Sequence, residues 1–310
     1  MPRPLDKLLG PYEAFEMTVS DHERFRRRRT GAAVALVAIL ALLITAIAPR
    51  GGAHRTTPDR VVPHHHLPTA QPTQAKQAAL THKAEEKAID SVLAYTPAVV
   101  SGGRKGNELA LTFDDGPGPY TQQLVATLNR LHVHATFFAI GEEERYFSAG
   151  SLLELRSEDA IGDHTETHPM MATLSAHDQR EQLVEQIARI ELLGGPRPRL
   201  FRPPYGSFNA TTFKLLHALH LLMILWSTDT GDYALPGVNA IVQSALAGAH
   251  PGAIILMHDA GGNRSETIAA LPAIVRGLRK RGLHPVTIPR LLLDDPPLRG
   301  QPLPTSLAGD

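Results

Sequence analysis

Leu109-Ala-Leu-Thr-Phe-Asp-Asp-Gly-Pro117 is the stretch that decides the fold. Leu109, Ala110, Leu111 and Phe113 form an apolar run long enough for one buried strand. The run stops at Asp114-Asp115, and Gly116-Pro117 then force a turn. A strand therefore delivers two adjacent carboxylates to its C-terminal end, where sites form in parallel α/β architectures. Alone, Asp-Asp-Gly is also ordinary turn chemistry, so the residues around it carry the argument.

Downstream, apolar strands alternate with amphipathic helices. Strands are expected at Leu109–Phe113, Ala135–Ile140, Ala160–Gly162, Leu200–Arg202, Leu222–Ser227, Ala253–Met257 and Pro285–Ile288. Helices are expected at Gln122–Leu131, Arg180–Leu193, Thr211–Leu219, Asn239–Ala249 and Glu266–Arg281, with a less clear one between Gly141 and Asp159. Repeated β-then-α units imply a parallel sheet, and this many of them suggest a closed or nearly closed barrel.

Several strand ends carry chemistry. His164-Thr-Glu-Thr-His168 offers two imidazoles four residues apart, and Pro169 biases the pair toward a turn. Two histidines and one carboxylate leave coordination positions open, as a catalytic metal needs. With 16 histidines in the chain, this spacing alone could arise by chance. Arg202-Pro-Pro-Tyr-Gly206 reads as a stiffened loop, Trp226-Ser-Thr-Asp229-Thr-Gly-Asp-Tyr233 as a polar loop with aromatics, and Leu256-Met-His258 as an apolar strand ending in histidine.

The five motifs together resemble the NodB-homology polysaccharide deacetylases, carbohydrate esterase family four: Thr112–Pro117, His164–His168, Arg202–Gly206, Asp229–Tyr233 and Leu256–His258, in the family's order. The resemblance covers roughly 107–292, the expected catalytic domain, and implies an α/β fold, a distorted (β/α) barrel. The implied reaction is removal of an N-acetyl group from an amino-sugar polysaccharide by a divalent metal, zinc. It further implies Asp115, His164 and His168 as metal ligands, Asp114 as general base with Arg202 as its partner, and His258 as general acid tuned by Asp229. Tyr205 supplies a backbone N–H to the oxyanion, while Tyr233, Trp226 and Leu256 shape the substrate pocket. Two positions depart from the family pattern: Tyr233 stands where tryptophan is usual, and Asp163 where asparagine precedes the first histidine.

The chain outside this region bounds the setting. Among its 310 residues, Lys+Arg and Asp+Glu each number 31, so charge gives no sign of a nucleic-acid partner. Without cysteine, thiol catalysis and disulfides are excluded, and a metal must be held by histidine and carboxylate. Residues 1–30 read as a cytoplasmic tail ending in Arg24 and Arg26 to Arg29. Gly31–Ala48 then carries no charge; at about 1.5 Å per residue it spans roughly 27 Å, near the roughly 30 Å of a bilayer core. A cleaved signal peptide ending at Ala46-Ile47-Ala48 competes with an uncleaved anchor. The long preceding tail, the length of the run and Pro49 after the cut favour the anchor, with the N-terminus cytoplasmic.

Residues 49–106 read as an extracytoplasmic linker or stalk, in which Lys76–Tyr95 has a weak helical face, either a stalk or a helix on the domain edge. The Pro-rich tail, residues 293–310, is expected to fray from Pro296. This topology favours a membrane-anchored enzyme acting on peptidoglycan N-acetylglucosamine. Chitin-like oligomers, poly-N-acetylglucosamine and acetylxylan remain alternatives, as do a non-catalytic glycan-binding module and a structural envelope protein that dimerises through Lys76–Tyr95.

Overall fold

The strand Glu108–Asp114 is the centre of the sheet, and its alternation sorts the core into two faces. Leu109, Leu111 and Phe113 enter one apolar cluster, and Ala110 enters another. The computed structural model describes residues 72–300 and 302–305. The chain runs α1 (Pro72–Leu93), β1 (Ala98–Val99), β2 (Glu108–Asp114), α2 (Thr121–Leu131), β3 (Thr136–Ala139), α3 (Gly141–Tyr146), α4 (Ser148–Arg156) and β4 (Ala160–Asp163). It continues through α5 (Ala176–Leu192), β5 (Leu200–Phe201), α6 (Ala210–Ala218), β6 (Leu222–Ile224), β7 (Thr228–Asp229), α7 (Val238–Ala247), β8 (Ile254–His258), α8 (Ser265–Lys280), β9 (His284–Val286) and α9 (Ile288–Asp294).

All strand pairs are parallel, in the order β1-β6-β5-β4-β3-β2-β8-β7, with β9 beside the start of β2. Strands β1 and β7 end this path without meeting, so the sheet is an open half-barrel rather than the closed or nearly closed barrel expected. Helices α2, α7 and α8 cover one face through Leu124, Leu128, Ile241, Ala245, Leu271, Ile274 and Leu278. On the opposite face Ala110, Phe138, Leu222 and Ile224 meet Ile288, Leu291 and Leu292 of α9.

Register brings the functional ends together. Asp114 pairs with His258 across β2 and β8, and Asp163 with Phe201 across β4 and β5. His164 and Arg202 therefore leave the sheet side by side.

Four expectations change. The fold starts upstream of Asn107: Ile89 and Val92 of α1 are buried in the core, and β1 pairs with β6. Gly141–Asp159 holds two helices, and β9 stops before Ile288, because the Thr287 hydroxyl caps α9 by accepting from the Arg290 N–H. The tail is tied down where fraying was expected: Tyr95 donates to the Pro297 carbonyl at 2.7 Å, and Arg299 lies over its ring. Among the described residues no helix is long and apolar enough to cross a membrane. The run Gly31–Ala48 and the tail before it lie outside those residues.

Because α1 contributes core side chains, Ile89→Ala should lower stability by about 2–5 kcal/mol. A urea midpoint equal to wild type would return α1 to the role of an external stalk.

Candidate active site

The site forms where β2, β4, β5 and β8 end. Asp115 follows β2 in the left-handed region, φ 74°, so its carboxylate leaves the strand's alternation. Its Oδ1 lies 3.6 Å from His164 Nε2 and 3.2 Å from His168 Nε2. One ligand atom from each of the three residues falls within a 4.8 Å cluster. His164 Nδ1 donates to the Arg202 carbonyl at 2.7 Å, which leaves Nε2 as the lone-pair nitrogen. His168 Nδ1 lies 3.2 Å from the Tyr205 hydroxyl. Burial pushes the Asp115 carboxyl up, but the two histidines facing it outweigh burial and hold the group well below the usual carboxylate range. A carboxylate and two imidazoles with an oriented tautomer fit a divalent cation.

Asp114 lies between Arg202 and His164. Its Oδ1 accepts from Arg202 Nη1 at 2.7 Å, and its Oδ2 lies 3.7 Å from His164 Nε2. Arg202 is completely buried and also donates to Thr112 Oγ1 at 2.8 Å and to the carbonyls of Ile224 and Leu225. Its guanidinium carbon lies 4.1 Å from the centre of the Phe138 ring and 5.7 Å from that of Trp226.

His258 is held by Asp232, not by Asp229. Its Nδ1 donates to Asp232 Oδ1 at 2.8 Å, while Asp232 Oδ2 accepts from the His258 backbone N–H and the Thr267 hydroxyl. Asp229 is exposed on β7 and caps the turn by accepting from the Gly231 N–H. The chain reverses at Gly231, φ 66°, and this brings fully buried Asp232 beneath the imidazole. Burial pulls the His258 ring down, but the Asp232 hydrogen bond and charge, helped by Asp114 and Asp115, push it to about 9. His258 is thus an imidazolium at neutral pH, with Nε2–H available as an acid.

Tyr205 and Tyr233 frame this centre. Both are exposed, with ring centres 4.6 Å from His168 and 5.5 Å from His258 respectively. Tyr205 itself sits at φ 58°. Trp226 is half-buried between two apolar clusters, and Leu256 is buried within β8, so these two form wall rather than rim. Thr112, Asp232 and Thr267 were missed as partners. Of these, Thr112 and Asp232 had a signal, since they belong to the Thr112–Pro117 and Asp229–Tyr233 motifs.

The polysaccharide deacetylase family model matches residues 101–224. A peptidoglycan-N-acetylglucosamine deacetylase of Bacillus cereus is 37% identical over 187 residues, 59% of this chain and 87% of that protein. The chain belongs to the polysaccharide deacetylase family. A chitooligosaccharide deacetylase of Sinorhizobium fredii is 30% identical over 210 residues, 64% of this chain and 98% of that protein. A solved peptidoglycan N-acetylglucosamine deacetylase superposes with a TM-score of 0.62 at 31% identity, covering 64% of this chain and 94% of that one. As a member of this family, the chain is a hydrolase of the polysaccharide deacetylase type, with an Asp-His-His cluster suited to a divalent metal.

The pairing of His258 with Asp232 makes a pH prediction. A general acid must be protonated, so turnover should fall as pH rises through about 9, the value His258 holds in the fold. Asp232→Asn removes the charge that raises this value and should move the basic limb of the kcat profile to lower pH. Asp229→Asn should leave it in place. A limb that moves with Asp229 instead would contradict the assignment.

Proposed function

We propose that this protein removes N-acetyl groups from N-acetylglucosamine residues of peptidoglycan, with zinc held by Asp115, His164 and His168. The observation that carries the reading is the meeting, at one end of the sheet, of that ligand set with a buried carboxylate, Asp114, and an imidazolium, His258. A bound divalent cation supplies Lewis acidity, polarising the acetamide carbonyl and making water more acidic.

The chain's own residues do the rest. Asp114, fixed by Arg202, takes a proton from the water that attacks the acetamide carbon. Tyr205 offers a backbone N–H to the developing oxyanion. His258 gives its Nε2 proton to the sugar nitrogen as the C–N bond breaks, releasing the amine and acetate. Asp232 stabilises the imidazolium before transfer and orients the ring throughout. General acid catalysis of this kind is worth about 10²–10⁴-fold.

Peptidoglycan is favoured by the Bacillus cereus relative and by the sequence before the domain. The uncharged run Gly31–Ala48 behind its arginines supports a cell-membrane anchor with the catalytic domain outside. The chitooligosaccharide relative supports a second substrate, free N-acetylglucosamine oligomers.

The test is acetate release from purified peptidoglycan and from N-acetylglucosamine oligomers, with zinc and with chelator. Zinc-dependent release from peptidoglycan is expected. Release from oligomers alone would move the substrate, and no release from either would overturn the reading.

A further inference from the structure

The turn that carries both imidazoles is held in an unusual shape. Thr165 and His168 adopt φ 72° and 59°, a region that side-chain-bearing residues rarely occupy, and β-branched threonine least of all. Such a backbone persists only when its surroundings over-determine it. Part of this comes from the turn itself, where Asp163 Oδ1 accepts from the Thr165 N–H at 2.7 Å and Thr165 Oγ1 from the His168 N–H at 2.9 Å, and the rest from two helices that contribute no ligand.

Helix α5 holds one side. The Gln182 carbonyl accepts from the Glu166 N–H at 3.0 Å, and its side-chain amide both accepts from the Thr167 N–H at 2.9 Å and donates to the Thr167 hydroxyl at 3.0 Å. Arg189, two turns further along α5, grips the Glu166 carboxylate with two donors: Nε reaches Oε2 at 3.1 Å, and Nη2 pairs with Oε1. Helix α3 holds the other side. The Gly141 and Glu142 N–H groups donate to the Thr165 and Glu166 carbonyls at 3.1 and 2.8 Å, and the exposed Arg145 adds a second cation to Glu166 at 3.2 Å. Glycine is required at 141, because a Cβ there would overlap the Glu166 carboxylate.

Glu166 lies midway between His164 and His168, and its carboxylate is almost fully buried. It is where the two helices converge on the turn. We propose that Glu166, gripped by Arg189 and flanked by Gln182, is a positioning residue that presets the spacing of the two imidazoles for the cation. Its carboxylate bonds to Arg189 and Arg145 and to none of the three ligand residues. The inference rests on the metal-dependent reading of the site. Outer groups of this kind set ligand orientation, and their loss commonly weakens metal binding by about 10–100-fold.

The test measures zinc affinity by competition with a chromophoric chelator, and the melting temperature of the metal-free protein, for wild type, Glu166→Gln and Gln182→Leu. Gln182→Leu spares the buried ion pair, so it serves if Glu166→Gln fails to fold. Zinc dissociation constants raised about 10–100-fold are expected in both variants, with the metal-free melting temperature unchanged in Gln182→Leu. Affinity equal to wild type in the folded variants would overturn the proposal. So would a weakening matched by an equal loss of metal-free stability, which marks a merely structural role. If wild type itself binds no zinc, the metal-dependent reading falls first, a distinguishable outcome.

Discussion

The buried ion pair between Asp114 and Arg202 is the constraint on which the site depends. Both groups have left water, and Arg202 has no exposed surface. Such a pair is tolerated only when its remaining donors are satisfied. Arg202 meets that condition with Thr112, two strand-end carbonyls of the β6 region and the face of Phe138. The guanidinium thereby ties β2, β3 and the end of β6 to the start of the loop after β5. Removing one partner of a buried pair commonly costs about 3–5 kcal/mol, so the charge proposed to serve the chemistry is also structural.

This constraint divides labour between two neighbouring carboxylates of identical chemistry. Asp114 keeps the strand's alternation, which turns it toward Arg202 and beside His258 in register. Asp115 breaks that alternation at positive φ and faces the two histidines. One carboxylate is held by a fixed cation of the chain; the other is left to the metal cluster. Across the gap, His258 is raised by Asp232. In the proposed mechanism His258 donates and Asp114 accepts, and the partner of each keeps acid and base apart.

Much of this was legible in the sequence because it follows from local pattern. Short apolar runs ending at Asp114, Asp163 and His258 put the chemistry at strand ends, and His164 with His168 signalled a ligand turn. What the sequence left hidden depends on tertiary geometry. Asp229 and Asp232 are indistinguishable as residue types, and only the reversal at Gly231 decides which one lies under His258. Barrel closure depends on whether the edge strands β1 and β7 meet, which no periodicity reports. The apolar face of α1 looked weak because two residues, Ile89 and Val92, carry its deepest burial. Nothing local to Glu166 signals its burial, because the group that grips it, Arg189, lies more than twenty residues away.

The division of labour between Asp114 and Asp115 is the central claim, and metal content beside turnover tests it most directly. Zinc stoichiometry and acetate release should be measured on Asp114→Asn and Asp115→Asn. The account predicts that Asp114→Asn retains zinc and loses turnover, whereas Asp115→Asn loses both. Zinc lost equally from both variants, or turnover retained by Asp114→Asn, would contradict it.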